Sequence, residues 1–478
     1  MSNDTTNRDD QRIVDIREDR PTAAPLSPAD LVVRTVPSPR VSMGRARKGW
    51  YAPASRPAPS TTRQAQILNT TLVAEATGYE GIVIGRDCLS NSVVAHDAFT
   101  AYQNKQITSP NVISVGAVGA GKSSLTKTVY VIRPFTFSDR RIVVFDKKDQ
   151  DGAGEYTELT QTLGGKPLRF ALDGSGTRLN LLDPIILAGD GVAGQLRLLV
   201  TATELTGAGP LDEAENFALR RAHRQVLADH GLSSSLVNPQ FETTPTLEHL
   251  LAALRTFHTT PEFTDLSVSV RDDLHRSGMN VYYRLSELLD TGLTGLFDGP
   301  TSTDVNFDRR LTTFDISQLP EDGPAVSLVM AVANVWLLGI LKRNKARYKT
   351  NVIAEEGWHL VGGPGGRLFH SNQKLARALG LSTVANFHHA SDIPKDSTAR
   401  TVIKEAQTIH IYRQDREEDV ADCMTLFNLQ EGSRPLLTDL HQGHHLLKIS
   451  NRREIHVQHV RSAIEERLTN TDNAMMAR

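Results

Sequence analysis

The sequence predicts an α/β fold, with a mainly parallel sheet and an all-helical insertion. Three observations carry this. A strand, a glycine-rich loop, a helix and a second strand follow one another between Asn111 and Phe145. Short apolar runs return after Arg310. Between these regions the apolar residues adopt a helical spacing.

Each element has its own reason. Gly81-Ile82-Val83-Ile84-Gly85 and Asn111-Val112-Ile113-Ser114-Val115 read as short strands, and the second runs straight into glycines. The chain from Ser124 onward reads as helix, and Arg141 to Phe145 is an apolar strand ending at Asp146. Strand, loop, helix, strand is a βαβ unit, which requires a parallel pair and a right-handed crossover. From Gly191 to Phe297 the pattern changes. Thr244-Pro245 opens a helix, and Leu247, Leu250, Leu251 and Leu254 follow at i, i+3, i+4 and i+7. Val281, Leu285, Leu288 and Leu289 repeat that face. Strand signals return at Leu311–Ile316, Asn351–Ala354, Leu381–Ala385, Thr408–Tyr412 and Leu446–Ile449.

These patterns divide the chain into a disordered tail over 1–65, a first part of the core over 66–190, the helical insertion over 191–298, a second part over 299–465 and a flexible tail over 466–478. The first tail is rich in Pro, Arg, Ser and Thr, and too polar to offset its ordering entropy. Its basic piece, Arg40 to Lys48, reads as a solvated linker. Two cysteines, Cys88 and Cys423, make no disulfide framework and fit a reducing compartment. The opening residues contain no apolar run of the signal-peptide kind. Ala325 to Leu341 is the longest apolar stretch. It falls short of the ~20 residues of a membrane span and reads as a buried helix. A formal net charge of -2 lacks the basic footprint of a dedicated nucleic-acid binder.

Gly116-Ala117-Val118-Gly119-Ala120-Gly121-Lys122-Ser123 fits G-x-x-x-x-G-K-[ST] in full. The glycines let backbone N–H groups wrap a phosphate, and the helix start adds its dipole. Lys122 is expected on the β- and γ-phosphates, Ser123 on Mg²⁺, and Ser124 beside them. The reading is an ATP site. Such a loop needs a second strand carrying an acid for the metal and a group that activates water. Asn351-Val352-Ile353-Ala354-Glu355-Glu356 supplies both, with Glu355 as the metal-side acid and Glu356 as catalytic base. His388, after the strand at Leu381–Ala385, is the candidate γ-phosphate sensor. Arg400 and Arg413 are alternatives for an arginine acting in trans. His441, His444 and His445 lie close in sequence, but no acid or cysteine accompanies them, so no metal site is read there.

Several segments together resemble one family, the VirB-type conjugation ATPases of type IV secretion systems, the TraC and TrwK group within the HerA–FtsK superfamily. They are the P-loop; the run Phe145-Asp146, Glu155-Tyr156, Leu163-Gly164-Gly165 and Leu179-Asn180; the pair Gly295 to Gly299 and Thr313-Phe314-Asp315-Ile316; and Glu355-Glu356-Gly357-Trp358. The family usually has Asp where Glu355 stands and Gln where His388 stands. The resemblance spans about Gly78 to Val460. It implies a RecA-like P-loop core that uses ATP and Mg²⁺ and forms a homo-oligomer, a hexamer. It also implies a cytoplasmic motor held at the cell membrane by inner-membrane secretion-channel components, moving DNA or protein or assembling a pilus. A HerA- or FtsK-like DNA translocase or a conjugation coupling ATPase is the alternative. A non-catalytic nucleotide-binding scaffold is the third, and intact Lys122, Ser123 and Glu356 argue against it.

Overall fold

A computed structural model describes residues 43–51, 79–207, 209–232, 244–290, 293–305, 309–321, 323–343, 348–355, 379–389, 403 and 405–470. Among the described residues, twelve strands form one sheet. Seven are parallel, in the spatial order β12 (Thr408–Ile411), β4 (Val112–Val115), β11 (Leu381–Phe387), β10 (Lys349–Ala354), β5 (Arg140–Asp146), β9 (Leu311–Asp315) and β8 (Lys166–Arg169). Beyond β12 the sheet turns antiparallel through β13 (His444–Ile449), β14 (Ile455–His459), β2 (Gly81–Asp87) and the two edge strands that pair with it, β1 (Trp50–Tyr51) and β3 (Val93–His96).

The central strands are buried along almost their whole length because both faces are covered, as in parallel sheets generally. Residues alternate between two cores. Ile113, Val115, Val143, Phe145, Val352 and Ala354 face one of them, together with the long helices. Val112, Ile142, Val144, Ile353 and Val384 face the other, with Leu125 and Val129 of the helix after the glycine loop. That helix, α3, starts as Lys122–Leu125, widens to a π-helix over Thr126–Ile132 and finishes as Arg133–Phe135. π-Helical insertions recur at functional sites.

Between β8 and β9 the main elements are helices: α5 (Pro184–Thr206), α6 (Glu213–Asp229), α7 (Leu247–Thr256) and α8 (Val268–Asp290). Leu247, Leu250, Leu251 and Leu254 are buried, as are Val281, Leu285 and Leu288. α9 (Ala325–Arg343) packs on α5 and is the buried helix its composition indicates.

Two segments expected to lack structure carry elements. Met43–Arg47 is helix α1, and Trp50–Tyr51 pairs antiparallel with Ile82 and Gly81. Trp50 packs edge-on against Phe137 at 5.5 Å, and Lys48 donates to the carbonyl of Thr136 at 2.8 Å. These long-range partners, absent from the local pattern, order this piece. At the other end, helix α12 (Ala463–Thr469) runs past residue 466. A capping box between Ser462 and Glu465 starts it, and Glu465 pairs with Arg133 of α3 at 2.7 Å.

Candidate nucleotide site

β4 ends at Val115, in the centre of the sheet, and the chain leaves it through three glycines with positive φ: Gly116 (148°), Gly119 (75°) and Gly121 (109°). A Cβ on Gly116 would sit 2.5 Å from that of Tyr412. Only glycine fits there. The loop is braced by its neighbours. The Gly116 N–H donates to Phe387 O at 3.3 Å, the Ala117 N–H to Arg413 O at 2.8 Å, and the Gly443 N–H to Ala120 O at 3.0 Å. Ala117 and Ala120 are buried, while Val118 projects at the tip. Lys122 opens α3 and is buried, its ammonium donating to the loop carbonyls of Gly116 and, at 2.8 Å, Ala117.

The loop hydroxyl faces an acid. Ser123 Oγ lies 3.4 Å from Oε2 of Glu355, which stands just past the end of β10. One strand, β11, separates β10 from β4. Its Asn386, in register with Ser114, donates Nδ2 to Glu355 Oε2 at 2.9 Å. The other oxygen of Glu355 accepts from the Tyr156 hydroxyl. Asn386 is itself held by Thr126 of α3 at 3.1 Å.

Behind Glu355 lies a buried acidic cluster. Asp146 ends β5 and accepts from the Tyr156 N–H at 2.6 Å. Asp315 ends β9 in register with Asp146 and accepts from the Gly154 N–H at 3.0 Å. Glu155 pairs with Lys127 of α3 at 3.0 Å and with Lys148 at 3.2 Å. Lys127 also lies 5.0 Å from the Tyr156 ring centroid. Burial pushes the Glu355 carboxyl above its ordinary range, and Glu155 adds to that. Tyr156, Asn386 and Lys127 oppose it. Burial drives Asp146 well above its range too. The Tyr156 N–H opposes this, while Glu155, Glu355 and Asp315 reinforce it. Asp146 Oδ1 has no hydrogen-bond partner among the described residues.

This arrangement suits a magnesium-bound nucleotide. The glycine loop leaves open space at Gly119, whose Cβ would meet nothing within 4 Å. Its hydroxyl and a desolvated carboxylate lie together, and a divalent cation relieves the crowding of negative charge that raises Glu355.

No family model matches the chain, and no curated protein matches it. Solved structures do. VirB4 of Thermoanaerobacter pseudethanolicus is similar with a TM-score of 0.65 at 21% identity, over 80% of this chain and 97% of that one. The bacterial conjugative coupling protein TrwBdeltaN70, in its unbound monoclinic form, gives 0.50 at 14% identity, over 83% and 91%. TrwB with the GTP analogue GDPNP gives 0.51 at 14% identity, over 83% and 92%. The fold is that of a RecA-like P-loop NTPase. At these identities the likeness is one of fold.

Within this RecA-like core the expected residues fall as follows. Gly116 to Ser123 and Glu355 meet. Ser124 turns elsewhere, its Oγ 3.4 Å from Thr469 O and 3.5 Å from Arg461. Glu356 and Arg400 lie outside the described residues. Arg413 lends its carbonyl to the P-loop of its own chain, and its half-exposed side chain pairs with Asp415 at 3.0 Å. The β11 side chain that reaches Glu355 is Asn386, two residues before His388. β11 runs on to Phe387, past the expected end at Ala385, and this places Asn386 at the site. Sequence reasoning missed Asn386, Thr126 and Lys127. The available signal for Asn386 was an amide next to the carboxyl end of the strand Leu-Ser-Thr-Val-Ala-Asn-Phe.

Proposed function

We propose that this chain is the ATP-hydrolysing motor of a conjugative or type IV secretion apparatus, powering DNA or protein transfer or pilus assembly. One observation carries the reading. Asp146, Glu155-Tyr156, Asp315 and Glu355, the residues behind the family resemblance, are scattered over 210 positions from 146 to 355 and still converge on one buried cluster next to Ser123. A generic P-loop protein needs Ser123 and an acid. It does not need that set.

In this reading the loop N–H groups and Lys122 hold the phosphates, Ser123 and Glu355 hold Mg²⁺, and Glu356 accepts the proton of the attacking water. The bound cation supplies charge neutralisation on the phosphate oxygens. Asn386 fixes the Glu355 carboxylate, and we assign it the sensor position first given to His388. The chain works as a homo-oligomer, a hexamer, on the cytoplasmic side of the membrane, docked on inner-membrane channel components. DNA is a candidate cargo. The TrwB likeness, over 83% of this chain, supports a coupling ATPase or DNA translocase as the second reading.

The test is ATP turnover by purified protein with Mg²⁺, with and without DNA. Lys122→Ala is expected to lower kcat/KM by at least ~10²-fold, the scale of losing one preorganised charge donor. Glu356→Gln is expected to stop turnover and keep ATP binding. A wild-type protein that hydrolyses no ATP in any oligomeric state defeats the motor reading. Directional strand movement coupled to DNA-stimulated hydrolysis selects the translocase.

A further inference from the structure

The antiparallel flank assembles a cluster that the sequence hides. His444 on β13 and His456 on β14 are diagonal neighbours: His444 pairs with Gln458, and His456 pairs with Leu446. Side chains two apart share a face, and diagonal pairs lie within reach of long side chains. Cys88 follows β2, and its N–H donates to the carbonyl of His456 at 2.8 Å. This puts the thiol on that same face. Asp87 holds the turn in place, accepting from the Leu89 N–H at 2.9 Å and from Ser90 Oγ at 2.6 Å. His445, one residue on, points to the opposite face and is buried against Tyr412.

The resulting distances are specific. His444 Nδ1 lies 3.6 Å from Cys88 Sγ and 3.2 Å from His456 Nε2. All three atoms fall within 4.8 Å of one another. Tetrahedral zinc, with Zn–S of about 2.3 Å and Zn–N of about 2.05 Å, needs ligand separations of about 3.5 Å for S to N and about 3.3 Å for N to N. The two measured separations match both. A hydrogen-bond account fits less well. Nδ1 offers one proton or one lone pair, so it satisfies one of its two neighbours at a time. A cation satisfies all three atoms together. His441, exposed, lies next to the cluster, with its ring centroid 5.8 Å from that of His444.

We propose that Cys88, His444 and His456 form a binding site for a thiophilic divalent transition metal of the zinc class, with His441 or water completing the tetrahedron. The site ties β2, β13 and β14 into one corner. The turn at that corner carries Gly443, whose N–H braces Ala120 of the P-loop. The metal is therefore a staple beside the nucleotide site, separate from the magnesium of the proposed ATPase. The proposal does not rest on that activity.

The experiment uses untagged full-length protein stripped with chelator, then titrated with Zn²⁺ and with Co²⁺. The expected results are one equivalent of tightly bound Zn²⁺, a thiolate-to-cobalt charge-transfer band with tetrahedral d–d bands, and Zn²⁺ protection of Cys88 from alkylation. Cys88→Ser is expected to remove the charge-transfer band. His444→Ala and His456→Ala are each expected to weaken Zn²⁺ at least tenfold, while Cys423→Ser changes nothing. Cys88 is exposed, so its serine variant should fold, and the melting curve of the apo-protein checks this. An unaltered alkylation rate at Cys88 with Zn²⁺ present, or equal Zn²⁺ affinity in Cys88→Ser and wild type, overturns the proposal.

Discussion

The parallel half of the sheet and its antiparallel flank both bury titratable groups, with opposite chemistry. At the carboxyl ends of β5, β9 and β10 the buried groups are acids, and burial holds Asp146 and Glu355 above their ordinary range. On the flank, and on β12 beside it, they are imidazoles, and burial pushes His459 down to about 3, His96 to about 4 and His410 and His445 well below their usual value. The force is the same in both places, since low polarizability penalises whichever form is charged. The partners differ. The acids receive a buried cation, Lys127, and the donors Tyr156 and Asn386. The imidazoles face neutral hydroxyls: His96 with Thr408 at 2.8 Å, His410 with Tyr130 at 2.6 Å and His459 with Thr128 at 2.8 Å. One half keeps negative charge in reserve for a cation. The other holds its imidazoles neutral.

The largest effect should come from breaking the acidic half. Lys127→Met removes the buried partner of Glu155, and losing one member of a buried pair costs about 3–5 kcal/mol. Lys148 pairs with the same carboxylate from a half-exposed position, so Lys148→Met should cost only about 0–1 kcal/mol. Urea denaturation of both variants measures the difference. Equal losses would mean that Lys127 is not the charge that holds Glu155 in the core.

The two halves also differ in how far the sequence reveals them. The P-loop is local, so Gly116 to Ser123 could be read directly, and Glu355 followed from an apolar run ending in acid. Asn386 and Lys127 could not be read this way. They reach the site through the register of β11 on β4 and the face that α3 turns towards Glu155, neither of which leaves a local pattern. The flank was still less legible. β14 reads Ile-His-Val-Gln-His, too polar to announce a strand, and β3 reads Val-Val-Ala-His, too short to do so. Pairing with β2 makes them strands. The cysteine that joins His444 lies 356 residues away from it.

A second, smaller effect comes from the buried imidazoles of the flank and of helix α6. His96, His223 and His459 have folded pKa values below the unfolded 6.5, at about 4, 4 and 3. Between those limits the unfolded chain binds protons that the folded chain refuses, so stability rises with pH. It is full above about 6.5 and falls as pH drops, by up to about 1.4 kcal/mol per pH unit for each histidine. For His459, whose folded value is about 3, roughly 1.6 kcal/mol should be lost between pH 6.5 and 5. Melting temperature against pH reads this directly, and His459→Gln should flatten the slope. A slope unchanged by that substitution would remove His459 from the account.

The smallest effect tests whether the acidic half has the opposite sign. Asp146 has a folded pKa above its unfolded 3.8. The folded chain therefore keeps a proton that the unfolded chain releases, and stability falls as pH rises through and beyond 3.8. Asp146→Asn deletes this term and keeps the acceptor for the Tyr156 N–H. The new amide N–H₂ enters the field of Glu155, Glu355 and Asp315, which favours it over a carboxylate. The variant should be more stable than the parent by about 1 kcal/mol at neutral pH, and the difference should close as pH falls below 3.8, where the unfolded parent's carboxyl is protonated too. A variant less stable than the parent at neutral pH would show that Asp146 is ionised and well paired, and that the two halves of the sheet do not oppose each other in this way.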